Sequence, residues 1–249
     1  VSWATVCGGL LFARRSVVTF ALATLLGGIV LFVSGLNWMD PQITPLVPVL
    51  KSPWLMFHVA VIVAAYGFFG IGCLLGLTNL SLMAVSGRQN VKVLKVRIAE
   101  LSILNEMTLW LGLAFMTVGT FLGAVWANES WGRYWGWDPK ETWALITVVC
   151  YAVVTHLHLF RRWNNPWLFN LSSVMAFASV LMTFFGVNYF LSGMHSYGQH
   201  DDVRGISVYL YGALVVVLVL AVFSRIKWKT VLCKETIQLR AVDYDKKTE

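Results

Sequence analysis

The chain has 249 residues, of which 58% are hydrophobic and only 12% are charged, and its formal net charge is +7. A soluble domain has about 25% charged residues, so these charges are too few to cover a water-soluble core. The high apolar content excludes a disordered chain, and no soluble domain is large enough to use the basic residues for nucleic-acid binding. The composition predicts a polytopic membrane protein with Lys and Arg in its loops.

The first apolar run, Val1–Ala13, ends at Arg14 and Arg15. As a helix it would span only about 20 Å, which is less than the ~30 Å hydrocarbon core of a bilayer. A signal peptide would carry its positive charges before the apolar run rather than after it. We therefore expect residues 1–15 to be the end of a truncated transmembrane helix, whose first half is missing from this sequence.

Longer apolar runs follow, and each is long enough to cross a bilayer as a helix. These six runs are Ser16–Leu36, Trp54–Val85, Met107–Ala127, Trp143–Phe160, Trp167–Phe190 and Ile206–Ser224. The predicted fold is an all-α polytopic membrane protein with six full transmembrane helices plus a partial N-terminal helix. Residues 16–225 would form the transmembrane domain, and residues 226–249 would form a basic cytoplasmic tail.

The basic residues are distributed unevenly between alternate loops. Fifteen of the nineteen Lys and Arg lie in one set of segments and four in the other. The positive-inside rule places the richer set in the cytoplasm or its equivalent. The outer segments are then Asn37–Pro53, Trp126–Thr142 and Leu191–Gly205. Topology thus explains the net charge, and no nucleic-acid partner is needed.

The second outer segment is rich in tryptophan, and we call residues 126–143 the tryptophan loop. It contains five of the twelve tryptophans, which are Trp126, Trp131, Trp135, Trp137 and Trp143. An aromatic belt at the lipid–water interface is the ordinary explanation of such a cluster. A belt does not need Gly132 and Gly136 between the indoles, however, and these glycines would let flat rings approach a flat ligand. Asp138, followed by Pro139, also fits a helix N-cap.

Two histidines are expected at the same face as this loop. His58 lies about one turn into the second long run, and His195 lies in the third outer segment. Two imidazoles beside a flat aromatic surface suit a planar cofactor with two axial positions, and haem iron is the natural candidate. The alternatives are an interfacial hydrogen bond for each histidine and tetrahedral zinc, for which only His200 is available as a third ligand.

Two further histidines, His156 and His158, lie about 20 Å along the helix from Trp143, in the inner half of the bilayer. An ionisable side chain at that depth is by itself a functional hypothesis. Because the two are only two residues apart, a helix would point them to different faces. One would then be a ligand and the other an interfacial anchor.

The tryptophan loop carries a family resemblance. The stretch Trp131–Trp143 reads WGRYWGWDPKETW and resembles the WWD signature of haem-handling membrane proteins. Its Lys-Glu-Thr-Trp ending resembles the CcsA (ResC) branch of the System II cytochrome c synthetases. The sequences PLVPVLKSPWLMFHV around His58 and GMHSYG around His195 are also similar to that branch. The resemblance covers nearly the whole chain.

The resemblance implies that His58 and His195 are the axial ligands of haem b at an outer site. The loop residues that would hold this haem are Trp131, Arg133, Trp135, Trp137, Asp138 and Trp143. His156 matches a histidine that binds a second haem within the membrane. Its partner histidine would lie in a CcsB-like subunit or a fused half, as in a CcsBA fusion.

The implied activity is that of a cytochrome c synthase of the haem lyase type. It would join haem to the thiols of a Cys-x-x-Cys-His motif in apocytochrome c, together with the CcsB-like partner and a thiol reductant of the apocytochrome. The implied location is the bacterial inner membrane or the thylakoid, with the loop facing the periplasm or lumen. Arg133, Lys140 and Arg204 are candidate partners of the haem propionates, and no side chain stands out as a general acid or base.

Three alternatives have weaker support. A haem exporter or chaperone would deliver haem without ligation, and the Lys-Glu-Thr ending argues against it. An electron-transfer cytochrome b would need more facing histidine pairs than this chain has. A solute transporter would be expected to have a pair of broken helices, which the sequence does not indicate.

Overall fold

A computed structural model describes residues 2–13, 16–35, 51–87, 89–194 and 204–248, with side chains within 2–12, 16–35, 51–87, 89–188, 190–194 and 210–233. The described residues form helices joined by short connections. The helices are α1 (Ser2–Ala13), α2 (Val17–Ser34), α3 (Pro53–Ala84), α4 (Val91–Trp131), α5 (Pro139–Thr155), α6 (Pro166–Leu181), α7 (Val187–Phe190) and α8 (Arg204–Thr248).

Within these ranges, six helices are long and apolar enough to cross a membrane. They correspond to the six predicted runs, and the short α1 corresponds to the predicted partial helix. The prediction of an all-α polytopic membrane protein is therefore confirmed. Two boundaries differ from the expectation. Helix α4 extends beyond Met107–Ala127 at both ends, and α8 continues as helix through residues 226–248, where we expected a tail.

The centre of the bundle is the pair α3 and α4, against which α5 and α6 pack. The core between these helices contains Phe69 and Leu109, together with Tyr151 and Val180. The rings of Phe69 and Tyr151 stack with their centroids 3.6 Å apart. Because lipid is as apolar as this core, close packing rather than water exclusion holds such helices together.

A buried polar cluster joins α3, α4 and α6. The Oδ1 atom of Asn170 accepts hydrogen bonds from Asn79 (2.9 Å) and from Asn105 (3.1 Å), and all three side chains are fully buried. The Asn170 amide in turn donates to Ser102 at 2.8 Å. Inter-helix hydrogen bonds of this kind are worth about 1 kcal/mol each in membrane bundles. The cluster ties α6 to α3 and α4, the two central helices that line the pocket described below.

The end of the bundle that carries the tryptophan loop has two local features that shape a site. Ser52 caps the start of α3 and donates to Glu129 near the end of α4, at 2.7 Å, so these two helix ends are tied together. The predicted run Trp167–Phe190 is not one regular helix, because a π-helical turn at Met182–Gly186 separates α6 from α7. Such turns often occur at functional sites.

Candidate functional site

A pocket of about 340 Å³ lies between the ends of α3, α4 and α5 and the π-helical turn. This volume is at the low end of the range for small-molecule pockets. One wall of the pocket is a face of α3 that carries His58, Ile62 and Tyr66. The other walls come from α4, the tryptophan loop, α5, the π-helical turn and α7, and they include Trp126, Tyr134, Trp135, Lys140, Glu141, Phe184 and Asn188. The pocket thus brings the predicted site residues His58 and Trp135 together.

The imidazole of His58 is held in one orientation. Its Nδ1 atom lies 2.7 Å from the carbonyl oxygen of Gly119. A carbonyl can only accept a hydrogen bond, so Nδ1 carries the proton and Nε2 is the basic nitrogen. The ring is nearly parallel to that of Trp126, whose side chain is 1% exposed. A histidine that donates its other N–H to a backbone carbonyl is typical of metal-binding imidazoles.

Gly123 makes room for this ring. A Cβ atom on Gly123 would lie 2.6 Å from Cε1 of His58 and 2.8 Å from its Nδ1, which is closer than real contacts allow. The close approach of α3 and α4 beside His58 therefore requires glycine at position 123. In the sequence, Gly119 and Gly123 form a G-x-x-x-G pattern, which is typical of close helix packing, and their relation to His58 appears only in three dimensions.

Asp138 is the N-cap of α5, as the sequence predicted. Its Oδ2 atom accepts from the N–H of Lys140 (3.2 Å), and Glu141 completes a capping box by accepting from the N–H of Asp138 (3.2 Å). Its other oxygen, Oδ1, accepts from the backbone N–H of Met194 at 2.6 Å. The Asp138 side chain is only 7% exposed, so its carboxylate is committed to backbone donors on two segments.

Much of the tryptophan loop is helical, and only residues 132–138 connect α4 to α5. Helix α4 includes Trp126 and Trp131, whose rings meet edge to face at 4.8 Å, and it ends at Gly132 with a positive φ of 72°. Left-handed glycine is a common helix stop. Beyond it, Trp135 and Trp137 pack edge to face at 5.7 Å. Trp137 is 70% exposed and has a positive φ of 55°, which is strained for a bulky residue.

Trp143 lies within α5, and its carbonyl accepts hydrogen bonds from the hydroxyls of Thr147 (2.8 Å) and Thr183 (3.2 Å). Thr183 belongs to the π-helical turn, so these bonds join α5 to the segment that completes the pocket wall. The pocket wall on α5 itself is formed by Lys140, Glu141 and Ala144. Trp143 therefore contributes through the position of its helix.

The structure places two of the three candidate cations, and they lie in different surroundings. Lys140 lines the pocket together with His58. Arg133 is exposed, and its guanidinium lies against the sulfur of Met194 rather than in the pocket wall. The side chain of Arg204 lies outside the described residues, as do His195 and His200. The predicted pairing of His58 with His195 therefore stays a prediction.

His156 is exposed at the other half of α5, where it caps the end of the helix. Its Nδ1 atom lies 2.7 Å from the carbonyl of Ala152, which leaves Nε2 as the basic nitrogen. The ring of Trp110 meets it edge to face, with centroids 5.2 Å apart. His156 thus shows the same fixed tautomer as His58, but at an exposed position of the bundle.

The expectation that His156 and His158 point to different faces is wrong. Helix α5 ends at Thr155, and a 3₁₀ turn at Leu157–Leu159 follows it. This turn brings the two imidazoles parallel, with their centroids 6.5 Å apart. His158 lies 3.8 Å from the carboxylate of Glu106, beside a second cavity of about 150 Å³. No sequence motif joins Glu106 to His158, so their proximity appears only in the fold.

Comparisons with known proteins agree on one family. The profile of the cytochrome c assembly protein family matches residues 1–195. Protein NrfI of Wolinella succinogenes is 49% identical over 203 residues, which cover 82% of this chain but only 22% of NrfI. Cytochrome c biogenesis protein CcsA of Chlamydomonas reinhardtii is 41% identical over 157 residues, 63% of this chain and 44% of that protein. CcsA of Parasynechococcus marenigrum is 36% identical over 228 residues, 80% of this chain and 74% of that protein.

The chain therefore spans less than a quarter of NrfI and less than half of the Chlamydomonas CcsA. The family match nevertheless includes the whole of α1 to α7 and the whole tryptophan loop. With its membrane-spanning helices and this match, the chain belongs to the cytochrome c assembly protein family.

Proposed function

We propose that this protein takes part in cytochrome c biogenesis by binding haem b as a substrate at the pocket and promoting its attachment to apocytochrome c. The observation that carries the proposal is the geometry of His58. Its Nδ1–H is fixed on the Gly119 carbonyl, so a basic Nε2 is held in an aromatic pocket. Imidazole oriented in this way suits haem iron, and relatives named for cytochrome c biogenesis support the assignment.

In this proposal the pocket receives one edge of the haem. A porphyrin is too large to be enclosed in about 340 Å³, so the opposite edge would remain outside and accessible. His195 supplies the second axial ligand. The rings of Trp131, Trp135 and Trp137 flank the exposed part, and Asp138 and Trp143 keep α5 and its neighbours in place.

Lys140 would meet a haem propionate, because it is the described cation that lines the pocket. A carboxylate paired with an ammonium in a partly desolvated wall gains a charge-assisted hydrogen bond. Arg133 would meet anionic groups only at the rim, where its guanidinium is exposed. We therefore assign the larger contribution to Lys140.

The reaction proposed is addition of two thiols to the two vinyl groups of haem. In each addition a sulfur–carbon bond forms, the thiol proton goes to the other vinyl carbon, and no electrons are lost or gained overall. The thiols belong to a Cys-x-x-Cys-His motif, which a thiol reductant must first reduce. The histidine of that motif replaces one axial ligand. The protein contributes mainly by positioning, which can lower a barrier by several kcal/mol.

A second haem site is proposed at His156, with a histidine of a CcsB-like partner or fused half as the other ligand. The exposed imidazole supports this assignment, because a polar side chain in a lipid-facing position is costly unless it has a partner. Its Nδ1 is already bonded to the Ala152 carbonyl. The pocket end of the bundle would face the periplasm or the thylakoid lumen.

The test is co-expression of the chain with its partner half and an apocytochrome c, followed by detection of covalent haem on a denaturing gel. His58→Ala and His195→Ala should abolish outer-site haem in the visible spectrum, and added imidazole should restore it. His158→Ala is the matched control, since that histidine lies outside the pocket wall. Full haem retention and unchanged attachment of haem to apocytochrome c in both outer-site variants would refute the proposal. Non-covalent release of haem to a carrier would favour an exporter instead.

A further inference from the structure

We infer that Asp138 is a positioning residue that holds the 193–194 segment, which leads directly into His195, against the start of α5. This inference rests on the proposed function, in which His195 binds haem iron. The carboxylate of Asp138 accepts the Met194 N–H at 2.6 Å, and the side chain is 7% exposed. The resemblance implies that Asp138 helps to hold haem, and in the structure its two carboxylate oxygens accept from the backbone N–H groups of Lys140 and Met194.

Contacts on two consecutive residues support this role. The guanidinium of Arg133 lies against the sulfur of Met194, so the tryptophan loop holds both the backbone and the side chain of that residue. Gly193 passes so close to Pro139 that a Cβ atom on the glycine would lie 2.8 Å from the proline Cδ. The segment is therefore seated on the first turn of α5 and not merely near it.

The position of Asp138 is itself fixed. It is the N-cap of α5, its Oδ2 accepts from Lys140, and Glu141 accepts from the N–H groups of Asp138 and Gly136. Hydrogen bonds to a charged acceptor are roughly twice as strong as neutral ones. Met194 is bonded directly to His195, and consecutive Cα atoms are only about 3.8 Å apart. An anchor one residue before a ligand restricts where that ligand can reach.

Two roles of Asp138 can be separated by substitution. Asp138→Ser keeps an N-cap, because a serine hydroxyl accepts from the first-turn N–H groups. It lacks the second oxygen and is one bond shorter, so it cannot also reach Met194. Asn165→Ala is the matched control. It removes the N-cap of α6, where the Asn165 amide oxygen accepts from Leu168 at 2.8 Å, at the opposite end of the bundle.

The first measurement is hydrogen–deuterium exchange of the Met194 amide in the full chain, reconstituted in lipid nanodiscs. Loss of a hydrogen bond to a charged group should speed exchange in Asp138→Ser by about ten- to a hundredfold. Exchange in Asn165→Ala should match the unsubstituted protein. An unchanged rate in Asp138→Ser would overturn the inference, and this measurement does not require haem.

The second measurement is the visible spectrum of haem with and without imidazole. Asp138→Ser should lose outer-site haem as His195→Ala does, and imidazole should restore it, because the missing element is a correctly placed ligand. Asp138→Glu, which keeps two oxygens on a longer arm, should restore part of the haem. Fast exchange with a normal spectrum would overturn the positioning role. If the unsubstituted protein retains no haem through His58 and His195, the proposed function fails, and the exchange rate alone decides whether Asp138 holds Met194.

Discussion

The substitution Gly123→Ala should displace the imidazole of His58 without unfolding the bundle. The new Cβ would lie 2.6 Å from the His58 Cε1, whereas ordinary contacts begin at 3.4 Å. The ring must therefore recede by at least 0.8 Å, the difference between these two distances. Binding groups usually have to be held within about 0.5 Å of their productive position. The required shift exceeds that tolerance.

The energetic consequence follows from the hydrogen bond that fixes the ring. The Nδ1 atom of His58 lies 2.7 Å from the Gly119 carbonyl, and a recession of 0.8 Å directly away would bring this distance to 3.5 Å. Losing that bond costs about 1 kcal/mol, and an off-rotamer side chain costs about another 1 kcal/mol. We expect outer-site haem affinity to fall by roughly ten- to thirtyfold, since ~1.4 kcal/mol is a factor of ten. Alanine favours helix over glycine by about 1 kcal/mol, so α4 itself should remain stable.

The assay is a spectroscopic haem titration of purified protein, with thermal unfolding measured in parallel. Gly112→Ala is a matched control, because its Cβ would lie 2.6 Å from the Phe69 ring in the same helix pair but away from His58. Gly28→Ala is a second control, since no atom lies within 4 Å of its Cβ position. Wild-type affinity in Gly123→Ala, or an equal loss in Gly112→Ala, would refute the reasoning that His58 binds the ligand in this orientation.

Three further predictions concern other parts of the proposed sites. His156→Ala should lower the total haem measured in the pyridine haemochrome assay, and added imidazole should restore it, whereas His158→Ala should leave the haem content unchanged. Equal haem content in both variants would contradict the inner site. Lys140→Gln should weaken haem binding by about threefold to tenfold and Arg133→Gln by less, because Lys140 lines the pocket and Arg133 does not. A larger loss of affinity in Arg133→Gln than in Lys140→Gln, measured by haem titration, would reject this assignment. Trp137→Asn should lower haem retention without lowering the melting temperature, because asparagine tolerates the positive φ of 55°; unchanged retention would show that the indole is not needed.

The membrane-spanning helices were predictable, because the length of an apolar run can be counted directly in the sequence. Their ends were less predictable. Helix α4 continues through Asn128 and Glu129, which the sequence suggested were loop, because no glycine or proline lies between Ala127 and Gly132. Helix α5 ends at Thr155 although no such residue follows closely. The π-helical turn at Met182–Gly186 likewise has no local sequence signal. These features depend on packing against neighbouring helices.

The candidate site divides in the same way. Asp138 was predictable as an N-cap, because Asp before Pro is a local helix-start signal. Its bond to Met194 joins residues 56 positions apart, and the bond of His58 to Gly119 joins residues 61 positions apart. No periodicity relates such pairs in sequence. The chemistry of the residues was therefore accessible from the sequence, whereas the protonated nitrogen of His58 and the second role of Asp138 required the fold.

The two halves of the proposed outer site are held by different means. His58 lies on α3, and its partners Gly119 and Gly123 belong to α4, so its ring is packed between the two central helices. The 193–194 segment is held by a carboxylate and a guanidinium at the edge of the bundle. Displacing the segment from these two contacts costs a few kcal/mol, whereas the His58 ring is enclosed by close contacts with α4 as well as by its hydrogen bond. If the substrate histidine replaces one axial ligand in the proposed reaction, we expect it to replace His195 rather than His58, because the segment before His195 is anchored only at the edge of the bundle.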